Sequence, residues 1–285
     1  MASEEIKTEK KKRNLLLKIF LCFLFLILIS IFYAFKIEPK CLKVTETAII
    51  NEKLPESFDG LKIVQFSDIH FGVSTGEKEL EKVINKINEL KPDIITFTGD
   101  LFDSSINLTD DNIKYLEETL KKLDAKLIKL AIKGDSDYLN ENAFTSIFQE
   151  ANFKILESEN IPLFYEDETP IYIGGISSIT KNKYDLTIAL KKDNPNYLQI
   201  FLVHEPILFD EVASNTDMVL SGHSMGGLIR LPFLSYSFDN TGSYQKGAYQ
   251  NKNSTLYVSG GIGTTKINAR FLNIPEINLY RLYHS

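Results

Sequence analysis

The stretch LKIVQFSDIH, residues 61–70, reads as a short apolar strand that stops where polar chemistry begins. Leu61–Ser67 supplies the strand, and Asp68 and His70 follow two residues apart, a spacing that lets both side chains project to one side of the chain leaving it. The same grammar then repeats. Glu77–Leu90 carries Leu80, Val83, Ile84, Ile87 and Leu90 on one face at the helical period, and Lys91-Pro92 ends it. Ile94–Phe97 is the next strand and delivers Thr98-Gly99-Asp100. Asp111–Leu123 reads as a second helix, and Leu127–Ile132 as a strand stopping before Gly134-Asp135. Loops leaving the carboxyl ends of such strands converge on one crevice, so three successive acids point to a shared site.

Beyond a short helix over Asn142–Gln149, the pattern changes to strands at Phe164, Ile171–Ile176, Leu198–Val203, Met218–Leu220, Thr255–Val258 and Ile277–Tyr283. With most helical connectors gone, antiparallel pairing is expected in this half. A further strand, Leu42–Ile50, precedes the turn-rich residues 51–60. The fold class is α/β: two sheets sandwiched against each other with helices outside.

Ile19–Phe35 is an uncharged, mostly apolar run of 17 residues, extended by Leu15–Leu17 if Lys18 snorkels toward the headgroups. It is longer than a usual signal-peptide core, and Phe32-Tyr33-Ala34-Phe35 offers no small-x-small cleavage pair, so an uncleaved anchor is the better reading. Lys7, Lys10, Lys11, Lys12 and Arg13 precede it and place the N-terminus in the cytoplasm. The expected organisation is a cytoplasmic segment 1–13, a transmembrane anchor 14–35, a juxtamembrane segment with the first strand 36–60, and an extracytoplasmic domain 61–285.

The net charge is −6, yet the first 40 residues hold eight basic and four acidic side chains, which leaves −10 on the rest. A domain that acidic lacks the Lys and Arg a nucleic-acid backbone needs, so no nucleic-acid partner is expected and any phosphate must be met locally. Cys22 and Cys41 both precede residue 61, which rules out thiolate catalysis and zinc-thiolate sites in the domain.

Asp100 could bridge two cations through its two oxygens, at the roughly 3.5–4 Å separation of phosphatase-type pairs. His204 follows the apolar strand Phe201-Leu202-Val203, and His223 follows Leu220-Ser221-Gly222. Three of the chain's four histidines thus stand at strand ends. Oxygen and imidazole donors together suit Mn, Zn or Fe. Gly222–Gly227 lacks the Gly-Lys-Ser/Thr of a nucleotide loop and reads as a tight loop around metal. Arg230 is a candidate phosphate clamp. The aromatic tract Phe233–Tyr249, with Tyr236, Phe238 and Tyr244, reads either as a substrate wall or as a loop packed on the sheet.

In order, Asp68-x-His70, Gly99-Asp100, Gly134-Asp135-Ser136-Asp137, Val203-His204-Glu205-Pro206 and Gly222-His223-Ser224-Met225 resemble the motifs of the calcineurin-like metallophosphoesterase superfamily, most closely its single-pass, membrane-anchored bacterial members. Ile229-Arg230-Leu231-Pro232, Leu256–Thr264, Arg270-Phe271 and Pro275-Glu276-Ile277 extend the likeness, which covers about Leu61–Tyr283. The resemblance implies a metallo-dependent phosphatase-like sandwich and two divalent ions. Asp68, His70 and Asp100 would hold the first, and Asp100, Asp135, His204 and His223 the second, with a bridging hydroxide attacking phosphorus.

Three positions depart from that pattern. Asp135 replaces an asparagine and offers an anionic oxygen of the same reach. Met225 stands where a histidine would complete the first site, and a thioether is a weak ligand for a hard ion, so weaker occupancy is expected there. Ser136 replaces the histidine that contacts phosphate and protonates the leaving oxygen. Losing a general acid typically costs about 10² to 10⁴ in rate. Asp137 is a candidate substitute proton donor, although nearby metals ordinarily lower carboxylate pKa values. Two readings follow. One is a hydrolase of phosphoester or pyrophosphate bonds, on a small-molecule or lipid-linked substrate near the bilayer, with reduced or narrowed activity. The other is a weak or inactive relative that binds metal or phosphate.

Overall fold

Side chains that point alternately to the two faces of strands buried on both sides explain the layered core. The computed structural model describes residues 2–72, 74–231, 234–235 and 240–285. Along the chain come helix α1 (Ala2–Phe32), strands β1 (Lys43–Asn51) and β2 (Lys62–Phe66), α2 (Glu77–Glu89), β3 (Ile94–Phe97), α3 (Asp110–Leu120), β4 (Ile128–Ala131), α4 (Glu141–Glu150) and β5 (Lys154–Ile155). The second half runs β6 (Glu159–Leu163), β7 (Ile171–Gly175), α5 (Leu186–Ala189), β8 (Gln199–Val203), α6 (Phe209–Val212), β9 (Met218–Ser221), β10 (Arg230–Leu231), β11 (Leu234–Ser235), β12 (Gly247–Asn251), β13 (Ser254–Val258) and β14 (Glu276–His284).

Two six-stranded sheets form, in the orders β1-β14-β2-β3-β4-β5 and β12-β13-β9-β8-β7-β6, and β10 pairs with β11 in a separate two-stranded ribbon. Ile63, Ile94, Leu130 and Leu282 from the first sheet meet Ile171, Ile173, Ile200, Leu202, Met218 and Leu220 from the second in one buried cluster. The alternate residues face outward: Val64, Phe66, Ile95 and Phe97 pack under α2, α3 and α4, and Phe201, Val203 and Val219 pack under α6. Strands buried on both faces read as continuous apolar runs, as these do.

The helices match expectation to within a few residues. Thr109 caps α3 by accepting the Asn112 N–H at 3.2 Å, and Asn112 Oδ1 reciprocates on the Thr109 N–H. That helix ends at Leu120, although Leu123 still joins the core. Phe164 lies just beyond β6 and is exposed.

The expected antiparallel pairing of the second half is corrected by the structure. In the second sheet β7, β8, β9 and β13 run parallel to one another and the edge strands β6 and β12 pair antiparallel, while β14 pairs antiparallel with β2 in the first sheet and β10 with β11. The crossovers between the parallel strands use four-residue helices, α5 and α6, too short to write a helical period into the sequence.

Among the described residues, one helical span, Glu9–Lys40, is long and apolar enough to cross a membrane, and its large apolar side chains from Leu15 to Phe32 are exposed. It passes through a wider turn at Tyr33–Ile37 before the domain begins.

Candidate metal centre

Six expected ligands from five loops converge at the carboxyl edges of the two sheets. β2 ends before Asp68 and His70, β3 before Asp100, β4 before Asp135, β8 before His204 and β9 before His223. Several of these loops leave their strand in the left-handed region, with φ of 52° at Asp68, 45° at His70, 61° at Asp100 and 67° at His223. Non-glycine residues hold such angles only when surrounding structure fixes them. The fixing contacts are local: the Asp68 N–H donates to Gly99 O at 2.9 Å, and the His223 N–H donates to Asp68 Oδ1 at 2.9 Å.

Two groups of donor atoms result, Asp68, Asp100 and His204 in one and Asp135, His204 and His223 in the other, each with its atoms within 4.8 Å. His204 Nε2 lies 3.3 Å from Asp100 Oδ2, from Asp135 Oδ1 and from His223 Nδ1. Its other nitrogen sits 2.7 Å from the Thr98 carbonyl, so Nδ1 carries the proton and Nε2 presents its lone pair inward once a cation is bound. His70 is placed differently. Its Nε2 is 3.6 Å from Asp100 Oδ2 and its Nδ1 is 3.6 Å from Asp103 Oδ2. Both ring nitrogens are buried without a hydrogen bond. Buried polar atoms left unmatched are costly, and a metal ligand with a carboxylate behind it would match both. The donor set therefore fits divalent ions.

Electrostatics agree with that fit. Burial pushes the Asp68 carboxyl up, aided by Asp100 and opposed by His204. At Asp100 burial also works upward, but the charge and hydrogen bond of His204 prevail and the pKa is lowered. Asp135 is held low by both histidines against the cost of its partial burial. Burial disfavours a charge on His204, yet Asp100 and Asp135 hold its pKa well above that of an ordinary imidazole. Acids and imidazoles this close share protons when no cation replaces them.

A cavity of about 440 Å³ opens over this cluster, lined by His70, Asp100, Asp135, Ser136, His223 and Met225 on its floor and by Lys181 and Lys266 among the residues of its walls. Ser136 donates its backbone N–H to Asp100 Oδ1 at 2.9 Å. Asp137, expected as a proton source, does not line this cavity. Its carboxylate is fully buried and accepts the N–H groups of Asp100 and Gly134 at 2.9 Å, Leu101 at 2.8 Å and Phe102 at 3.3 Å. Burial, then the charge of Asp100, push its pKa up to about 8 against those donors. Arg230 is not among the cavity-lining residues either; its N–H donates to Phe271 O at 2.9 Å. Tyr244 packs edge-on against Phe209 and bonds Asp210, as a loop residue on the sheet. Phe233, Tyr236 and Phe238 lie outside the described residues.

Sequence reasoning gave no site role to four residues, although Arg270 stood in one of the motifs it quoted. Asp103 faces His70, and its position three residues after Asp100 was the available signal. Lys181 and Lys266 are single lysines in loops, and nothing local marks them. Arg270 is fully buried and donates to the carbonyls of Gly260, Gly263 and Asn273, stapling the loop whose Gly263 N–H bonds Asp68 O at 2.7 Å.

Comparison with known proteins agrees with this geometry. A family model described as calcineurin-like phosphoesterase matches residues 61–227. YkuE, a metallophosphoesterase of Bacillus subtilis, is 35% identical over 260 residues, which is 88% of each chain. Cj0846, a metallophosphoesterase of Campylobacter jejuni, is 30% identical over 281 residues, 95% of this chain and 72% of that one. The UDP-2,3-diacylglucosamine pyrophosphatase LpxG of Chlamydia trachomatis is 28% identical over 314 residues, 87% of this chain and 92% of that one. With its ligand-bearing loops set at the strand ends of a two-sheet sandwich, and with these matches, the chain belongs to the calcineurin-like phosphoesterase family.

Proposed function

We propose that this chain hydrolyses a phosphoester or pyrophosphate bond, using Asp68, His70, Asp100, Asp135, His204 and His223 to hold two divalent cations. One observation carries the reading: His204 Nε2 stands 3.3 Å from two carboxylates while its far side is pinned to Thr98. Cations bound there supply an activated water and offset charge on the phosphoryl oxygens. The chain's own residues do the rest. Ser136 offers a hydroxyl hydrogen bond to the substrate but no acid near neutral pH. Asp137 is a positioning residue that fixes the Asp100 and Gly134 loops. Lys181 and Lys266 take the phosphate-attracting role expected of Arg230. Good leaving groups are therefore favoured, because Ser136 supplies no acid at the cleft and Asp137 does not line it.

The basic residues before the anchor favour a cytoplasmic N-terminus and an extracytoplasmic domain. An envelope or lipid-linked substrate suits that position, and the likeness to the UDP-2,3-diacylglucosamine pyrophosphatase of Chlamydia trachomatis supports it. A second reading, a binding module without turnover, is favoured by Met225 and Ser136 alone. Manganese-loaded full-length protein in detergent is expected to release p-nitrophenol from bis-p-nitrophenyl phosphate and to lose that activity in Asp100→Ala. Equal rates in the two proteins, or none in either, would leave the binding-module reading standing.

A further inference from the structure

The membrane helix is fastened to the rim of the cavity. The Arg270 N–H donates to Ala34 O at 2.9 Å, and the ring of Tyr33 lies edge-on to Phe271 at 6.3 Å. The fully buried Glu38 carboxylate accepts the N–H groups of Leu272, at 3.0 Å, and Asn273. Residues 264–273 thus form one loop with two exposures. Thr265 and Lys266 line the cavity, while Ile267 and Leu272 stand 54% and 59% exposed. The Arg230–Phe271 hydrogen bond brings the exposed Leu231 beside them, and Phe35 and Ile37 are exposed on the helix's final turn.

Single exposed leucines and isoleucines are ordinary on a protein surface. These are not independent: each is within three residues of a group hydrogen-bonded to the helix exit or to the loop it holds. The apolar run ends at Phe35, so chain bonded to Ala34 lies at the edge of the hydrocarbon, and the headgroup layer extends only about 5–7 Å beyond that edge. Lys36, Lys40 and Lys266 alternate with the apolar side chains, as on surfaces that settle at a lipid interface.

We propose that Phe35, Ile37, Leu231, Ile267 and Leu272 form a face that docks on the bilayer surface, so that the cavity mouth at Thr265 and Lys266 opens at the headgroups and receives a phosphorylated amphiphile from the membrane. Docking stands without turnover; entry of the amphiphile rests on the hydrolytic reading above.

The test uses the full chain with Cys22→Ser and Cys41→Ser, reconstituted in phosphatidylcholine–phosphatidylglycerol vesicles. An environment-sensitive fluorophore on Ile267→Cys or Leu272→Cys is expected to shift to the blue and to be quenched by doxyl-labelled lipid at least threefold more than one on Ile188→Cys, an equally exposed site away from this loop. Equal quenching at the three positions overturns the docking face. For entry, turnover of hexadecyl p-nitrophenyl phosphate in the vesicles is compared with that of methyl p-nitrophenyl phosphate. Ile267→Asp with Leu272→Asp is expected to lower the first at least tenfold and leave the second within twofold. An unchanged ratio overturns entry from the bilayer. If the parent chain turns over neither ester, the hydrolytic reading and the entry claim fall together, and the quenching still decides docking.

Discussion

The proposed effects of Met225 and Ser136 on the centre are separable. On the proposed reading, the buried Met225 that lines the cavity offers a thioether with little affinity for a hard ion, and Ser136 stands where the resemblance puts a proton donor while its backbone N–H holds Asp100. Ser136→His with Met225→His is therefore expected to raise phosphoester turnover by about 10² or more for poor leaving groups and much less for aryl esters. Alkyl and aryl rates that rise equally would refute the proton-donor part. The raised pKa of His204 adds a pH dependence. A cation must displace its proton, so manganese affinity is expected to fall as pH drops, by about tenfold per unit while one proton is exchanged, as titration calorimetry at pH 6 and 8 would show. Asp137→Asn leaves several backbone donors facing an amide, and should cost roughly 2–4 kcal/mol in denaturant unfolding, lowering metal affinity with it. That the six candidate ligands would lie close together was legible in the sequence, because each follows the end of an apolar run. The inward role of Asp137 was not, because its partners are backbone groups up to 37 residues away in sequence.

At the scale of elements, close approach governs the loops. A Cβ at Gly222 would fall 2.0 Å from Ser67 Oγ and 2.7 Å from Asp68 Oδ2, so Gly222→Ala must move a ligand loop. Loss of metal binding with little change in far-ultraviolet circular dichroism is expected; retained affinity would show that the loop yields. The staple of Arg270 works on a neighbouring loop. Arg270→Leu strips donors from three buried carbonyls and should destabilise by about 3 kcal/mol, read as a lower Tm. Strand positions were readable from the short, continuous apolar runs of β2, β3, β8 and β9, which are buried on both faces. Their direction in the second sheet was not, since four-residue crossover helices leave no periodic trace and relative strand direction is set by the path between them.

For the whole molecule, Glu38 joins anchor and domain into one piece. Glu38→Ala leaves two N–H groups of the 264–273 loop unmatched and should lower stability by about 1–3 kcal/mol, measurable as reduced resistance of the full chain to protease in detergent. An unchanged digestion rate would mean that water replaces the carboxylate. The sequence marked the anchor by its apolar run but gave no hint that an acid three residues past it is fully buried, because burial there depends on a loop more than 230 residues away. The register of β1 against β14 also fixes where the two ends of the domain stand. Lys43 pairs with Glu276 near the helix exit, and the strands run side by side for nine residues to Asn51 and His284, about 26 Å farther on. A fluorescent protein joined after Ser285 would hang clear of both lipid and metal loops, and whether it glows in living cells would tell which compartment the cleft inhabits.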